Sequence, residues 1–220
     1  MFQYVLFDLD GTLTDPKVGI TSCVQYALAD AGIQEPDLDK LEPFIGPPLV
    51  DSFREFYGFN DEQIKRAIDK YHERFDEKGI FENEIIEGVP ELLKALKDAG
   101  RRVSIASSKP RPLVIRILEH FEIAQYFDTV VGSEFDGRFA TKEAVVEEAL
   151  RQLVPAVYEK EDVAMVGDRK FDIQGAKAHG LTGIGVSFGY AGEHELEDAG
   201  ADYIVDTIEE LQRLLLQGSL

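Results

Sequence analysis

The sequence predicts an α/β protein: a doubly wound parallel sheet with an all-helical block inserted after its first strand. Three observations predict it. From residue 89 onward, apolar runs of strand length alternate with amphipathic helical stretches, which is the rhythm of βαβ units. Between residues 17 and 82 only helical spacing is found. The opening strand, Tyr4 to Phe7, is apolar or aromatic at every position, as in parallel sheets covered on both faces. A chain of 220 residues with 44% hydrophobic content can bury a sizeable core.

Taken in order, the strand Tyr4–Phe7 runs into Asp8, Leu9, Asp10, Gly11 and Thr12. A helix is expected over Lys17 to Ala31, with Ile20, Val24, Ala27, Leu28 and Ala31 on its apolar face and Gly32 as its stop. Asp37 to Phe44, Pro48 to Tyr57 and Asp61 to Lys78 also read as helices. Gly46-Pro47-Pro48 and Gly58-Phe59-Asn60 separate them. Further strands are expected at Arg102 to Ser107, Thr129 to Gly132, Val163 to Gly167, Thr182 to Val186 and Tyr203 to Val205. Helices fill the gaps at Val89 to Ala99, Pro112 to His120, Lys142 to Leu153, Phe171 to His179 and Thr207 to Leu216. The expected organisation is a core of residues 1–16 and 83–220 and a helical cap of residues 17–82, joined where Asn83 and Gly88 supply turn chemistry.

Ligands of open parallel sheets bind outside the carboxyl ends of the strands, where Asp8 and Asp10 emerge. Alternation sends side chains i and i+2 to one side, so two negative charges would share a small volume and call for a cation or a shared proton. Ser107, Ser108 and Lys109 end the second long strand; the hydroxyls read either as a helix cap or as part of an anion seat. Lys142 opens a helix, where the dipole disfavours a cation unless an anion answers it; a solvated surface Lys is the other reading. Asp168 and Asp172, four apart, mark another strand-to-helix turn, and Asp168 also suits an N-cap.

Composition narrows the function classes. A formal charge of −19, with 42 acidic against 23 basic residues, argues against nucleic acid or an anionic membrane as partner. No run reaches the length of a membrane span and no secretory leader pattern is present, so a cytoplasmic location is expected. Cys23 is the only cysteine, which rules out an internal disulfide, and its helical apolar setting predicts a packed, inert thiol. His72, His120, His179 and His194 form no zinc-ligand spacing.

The set VLFDLDGT (5–12), VSIASS (103–108), Lys142 and GDRKFD (167–172) resembles the four motifs of the haloacid dehalogenase-like hydrolases, in the same order and over nearly the whole chain. The helical insert resembles the small cap of the subgroup that includes phosphoglycolate phosphatases and β-phosphoglucomutases. The resemblance implies a Rossmann-like core and a Mg²⁺-dependent phosphatase acting through an aspartyl-phosphate. By it, Asp8 is the nucleophile and Asp10 the acid and base, with Mg²⁺ held by Asp8, the backbone carbonyl of Asp10 and Asp168. Ser107, Ser108, Lys142 and the N–H groups of Leu9 and Gly11 would receive phosphoryl oxygens, while Thr12 and Asp172 give support from behind. Gly46 and Arg54 in the cap would contact the rest of the substrate, although Arg54 reads equally as a solvated surface residue.

The implied partner is a small phosphorylated metabolite, phosphoglycolate or a nucleoside 5′-monophosphate, with no nucleic acid or membrane. A phosphomutase of the same superfamily is the neighbouring reading. A phospho-accepting receiver-like module would have little use for Asp10 or for a cap, and a metal-free dehalogenase would not need Asp10 and Asp168. The chain departs from the usual phosphoglycolate phosphatase pattern, Thr-Asn-Lys and Lys-Pro, with Ser107-Ser108-Lys109 and Thr141-Lys142-Glu143.

Overall fold

A computed structural model of the protein describes residues 2–134, 136–154 and 158–218. Met1, Phe135, Pro155 to Val157, Ser219 and Leu220, all within the core range expected from sequence, lie outside them. The chain divides into two compact units, one formed by Met1–Thr14 with Ile85–Leu220 and the other by Asp15–Glu84.

Strand β1 (Tyr4–Phe7) leads through a tight turn to the two-residue strand β2 (Thr14–Asp15). The helical unit follows. In α1 (Lys17–Asp30), Ile20, Val24, Ala27 and Leu28 are buried as the spacing requires, together with Cys23. Ala31 falls past the helix end and is exposed, unlike the expectation. The segment Leu38–Phe44 is a 3₁₀ helix rather than an α-helix. Pro43 lies inside it and has no N–H to give, which shortens any α-helical ladder. Helix α2 (Leu49–Tyr57) stops at Gly58 in a left-handed conformation. Helix α3 (Asp61–Phe75) starts from Asn60, whose side chain accepts from Gln63 N while the Gln63 side chain accepts from Asn60 N. Phe44, Phe53, Phe56, Tyr57 and Phe59 form the aromatic centre of this unit, with Phe53 and Phe59 stacked at 5.7 Å.

The larger unit resumes through β3 (Glu84–Ile85), which pairs with β2. It then alternates α4 (Val89–Asp98), β4 (Arg102–Pro110), α5 (Arg111–His120), β5 (Thr129–Ser133), α6 (Lys142–Leu153), β6 (Val163–Gly167), α7 (Lys170–Ala178) and β7 (Thr182–Val186). A short helix α8 (Glu195–Ala199), β8 (Tyr203–Val205) and α9 (Ile208–Gln217) complete it; α8 has no counterpart in the sequence expectation. Six strands form one sheet in the order β5-β4-β1-β6-β7-β8, and each pairing is parallel. The fold class is therefore the one predicted, a doubly wound parallel α/β sheet. Strands β6 and β7 are buried along their whole length, which explains their unbroken apolar character. Helices α6 and α7 lie side by side, as do α4 and α9.

The order places the site. The chain moves outward from β1 to β4 and β5, then returns to the other side of β1 with β6. Between β1 and β6 the winding reverses, and such switch points open a crevice at the strand carboxyl ends. Phe7 pairs with Ile105 on one side and Val166 on the other, so Asp8 leaves the sheet at its centre.

Candidate active site

Asp8 is held from its first atom: its N–H donates to Val166 O at 2.9 Å, tying the end of β1 to β6. The Leu9 carbonyl then accepts from Leu13 N at 2.9 Å and from Thr14 N at 3.1 Å, which folds residues 9–14 into a compact turn. Gly11 has φ +78° in this turn, and a Cβ there would lie 2.2 Å from Asp168 Oδ2. Glycine is required twice over, by conformation and by space.

From β6 come Gly167 and Asp168. A Cβ on Gly167 would lie 2.1 Å from the carboxyl carbon of Asp172, so the strand end and the first turn of α7 close directly on each other. The Asp168 carboxylate accepts from Tyr190 N at 2.8 Å and from Thr12 Oγ1 at 3.4 Å. Asp172 is sealed in the core, with Oδ2 accepting from Arg169 N at 3.0 Å.

Lys142 begins α6, capped by Thr141 Oγ1, which accepts from Ala144 N. Its ammonium lies 2.9 Å from Asp8 Oδ1 and 2.8 Å from Asp172 Oδ1, and donates to Ala106 O at 3.1 Å. Neither carboxylate oxygen makes an aligned hydrogen bond there, so both contacts are of charge rather than direction. The surface reading of Lys142 is excluded by its burial. Burial alone would lower the Lys142 ammonium, but the charges of Asp172 and Asp8 outweigh it and hold the group above its ordinary value. Burial raises Asp168 well above the usual carboxylate range, helped by the charges of Asp172 and Asp8 and opposed by the Tyr190 N–H. Burial also raises Asp172, with Asp8 adding to the effect and Lys142 opposing it.

Ser107 is almost fully buried, and its hydroxyl accepts from Lys109 N at 3.3 Å. The Ser108 carbonyl accepts from Ser133 Oγ at 2.7 Å. Lys109, the residue after Ser107-Ser108, places its ammonium 2.5 Å from Asp10 Oδ2. A second group outside the expected set surrounds Glu195, which accepts from Arg169 Nε and Lys170 N at 2.9 Å and from Gly192 N at 3.1 Å. It fastens the loop after β7, which carries Tyr190, to the start of α7. The only sequence signal for that loop is Gly189-Tyr190-Ala191-Gly192 after a strand. Gly46 and Arg54 belong to the helical unit, where Gly46 has φ +102° and Arg54 pairs with Asp61 at 2.9 Å.

Carboxylate oxygens of Asp8, Asp168 and Asp172 lie within 4.8 Å of one another. The Asp10 carboxylate stands apart on Lys109, so Asp172 rather than the Asp10 side chain completes the acidic trio. Four carboxyl groups share this nearly dry region with only two lysine ammonium groups, so acids outnumber the cations that answer them. A divalent cation with oxygen preference fits both the charge and the donor set.

Against known proteins, residues 5–186 match the family model "Haloacid dehalogenase-like hydrolase". A Pseudomonas aeruginosa protein named 5′-nucleotidase is 45% identical over 195 residues, covering 89% of this chain and 87% of that one. The Mycobacterium tuberculosis protein named tyrosine-protein kinase PtkA is 38% identical over 216 residues, covering 97% of this chain and 72% of its own. A crystal structure described as "a predicted phosphatase" from Clostridium acetobutylicum superimposes with a TM-score of 0.92 at 45% identity, covering 99% of both chains. The chain belongs to the haloacid dehalogenase-like hydrolase family. It is an enzyme of that family's phosphatase type, a phosphoric monoester hydrolase. Among the described residues no helix is long and apolar enough to cross a membrane.

Proposed function

We propose that the enzyme is a Mg²⁺-dependent phosphatase of small phosphomonoesters, with nucleoside 5′-monophosphates as its leading substrate class, acting through an aspartyl-phosphate on Asp8. The observation that carries this reading is the buried trio of Asp8, Asp168 and Asp172 at the sheet's switch point, answered by a single lysine. The nucleotide preference rests on the 45% identity to a protein named 5′-nucleotidase. Cys23, buried and without a disulfide, suits the reducing cytoplasm in which we place the enzyme.

In the first step an Asp8 oxygen forms a bond to phosphorus while the ester oxygen departs with the bonding pair and takes a proton from Asp10. In the second step Asp10 takes a proton from water, whose oxygen attacks phosphorus, and the bond to Asp8 breaks to release inorganic phosphate. Lys142 offsets part of the charge of the Asp8 carboxylate. Ser107, Ser108 and the main-chain N–H groups of Leu9 and Gly11 are the proposed seats for the phosphoryl oxygens. Asp8, the Asp10 carbonyl and Asp168 would hold Mg²⁺, with Thr12 and Asp172 fixing their orientation. When bound, the cation supplies charge stabilisation to the transferring group. Gly46 and Arg54 are proposed to contact the leaving group's remainder, a role for the helical unit as a cap.

Two variants test the assignment. Asp8→Asn should form no phosphoenzyme with any ester. Asp10→Asn, given an aryl phosphate whose leaving anion needs little protonation, should release a burst of phenolate near one equivalent per site and then turn over slowly. Absence of both burst and acid-trapped phosphoenzyme, with Mg²⁺ binding intact, would overturn the roles given to the two acids. A panel of nucleotides, sugar phosphates and phosphoglycolate tests the substrate class, and a preference outside nucleotides would overturn that part.

A further inference from the structure

We infer that Lys109 is a positioning residue for Asp10, pinning one carboxylate oxygen so that the other is presented for proton transfer. The inference rests on the reading of Asp10 as acid and base. Lys109 Nζ lies 2.5 Å from Asp10 Oδ2, with the two side chains only 8% and 13% exposed. Asp10 Oδ1 is buried and makes no hydrogen bond to the described residues. A carboxylate turns easily about its last torsion, so fixing one oxygen fixes the other. With Oδ2 on the ammonium, Oδ1 is the oxygen that gives its proton to the departing ester oxygen and later receives one from water.

The fold is built to deliver Lys109 to this place. The register between β4 and β5 shifts between Ser107 and Pro110, and Lys109 sits inside the irregularity. Bulges of this kind re-aim side chains beside active sites. On the neighbouring strand, Gly132 makes room: a Cβ there would lie 2.6 Å from Lys109 O and 2.7 Å from Arg111 N. Lys109 N donates to Ser107 Oγ and Ser133 Oγ donates to Ser108 O, which anchors the backbone before the lysine. Neutralising the acidic trio does not account for the contact. Lys142 already serves Asp8 and Asp172, and Lys109 is spent on the one carboxylate outside the trio.

The test compares two esters in the Mg²⁺-loaded full-length enzyme: an alkyl phosphate, which needs a proton at its leaving oxygen, and p-nitrophenyl phosphate, which needs little. For Lys109→Met we expect kcat/KM to fall about 10- to 100-fold for the alkyl ester, as for a catalytic group lost from alignment, and less than about threefold for the aryl ester. Lys109→Arg should recover most of the loss. Lys109→Gln, which keeps N–H donors but no charge, should fall between, so any one variant that folds carries information. Equal losses for both esters, no loss, or Lys109→Arg no better than Lys109→Met would overturn the inference. Asp10→Asn run alongside separates the two failures. If Asp10→Asn does not discriminate between the esters, the reading of Asp10 falls; if it does and the Lys109 series does not, only the role of Lys109 falls.

Discussion

Lys142 and Asp172 meet 2.8 Å apart inside the larger unit, and the same ammonium reaches Asp8 at 2.9 Å. One cation thus serves two buried carboxylates carried by different elements. Removing one partner of a buried pair leaves uncompensated charge and costs about 3–5 kcal/mol. Lys142→Met is therefore expected to destabilise the metal-free protein by that order. Because the variant is left with more negative charge, Mg²⁺ should restore a larger share of its stability than it adds to the wild type. Urea titrations with and without Mg²⁺ measure this, and equal Mg²⁺ increments in the two proteins would contradict it.

Asp168 yields a pH prediction. Burial and the charges of Asp172 and Asp8 raise its folded-state value. From the ordinary Asp value of about 3.9 upward to that raised value, the folded protein keeps a proton that the unfolded chain has released. This group's contribution to stability therefore falls as pH rises through the window. Metal-free Asp168→Asn should match the wild type near pH 4 and become progressively the more stable of the two toward neutrality, by at most about 1.4 kcal/mol per pH unit. With Mg²⁺ the order should reverse. Denaturant midpoints across pH 4 to 7.5 decide it; a flat or shrinking difference would count against strain at Asp168.

Gly11 and Gly180 separate backbone strain from crowding. Both have positive φ, but a Cβ on Gly11 meets Asp168 Oδ2 at 2.2 Å whereas one on Gly180 meets nothing within 4 Å. Gly180→Ala should lose only stability, about 1 kcal/mol, and keep full activity. Gly11→Ala should also displace Asp168 and lose about 100-fold or more in kcat/KM. Parallel melting and kinetic measurements on the pair test this, and similar activity in both variants would refute it.

The Cys23 thiol is predicted to be inert. Burial pushes it up to about 11 against the opposing pull of the Arg74 guanidinium, which donates to Sγ at 3.2 Å. A thiol reagent at pH 8 should label the native enzyme no faster than the helical unit opens, and the urea-unfolded chain at once. Rapid labelling of the folded enzyme would show the thiol to be accessible.

The parts of the site legible in the sequence were those carried by strand ends. Asp8, Asp10 and Asp168 lie at or just beyond the ends of apolar runs, and a parallel strand exports whatever follows it to the ligand side, while Asp172 stands four residues beyond Asp168 in the first turn of α7. Lys142 was legible as a helix-opening cation but not as a bridge between two acids, because Asp172 reaches it only through the packing of α6 on α7. The Lys109 contact was hidden because it depends on an irregular pairing between β4 and β5, which leaves no periodic trace. Tyr190 and Glu195 act through a loop, where local composition says little about destination. In the helical unit, Pro43 was the warning that the segment before it would not sustain an α-helix.

The central position of β1 has a kinetic consequence. Its turn is joined to Lys109 across 99 residues of chain and to Asp168 across 156. Contacts of such high order form slowly, because loop-closure entropy is lost before any pairing energy is gained. On refolding, helical signal should return early while the acids remain scattered along the chain. Recovery of catalysis is then a readout of completed topology, since Asp8 after β1, Lys142 on α6, Asp168 after β6 and Asp172 on α7 come together only once those elements have assembled.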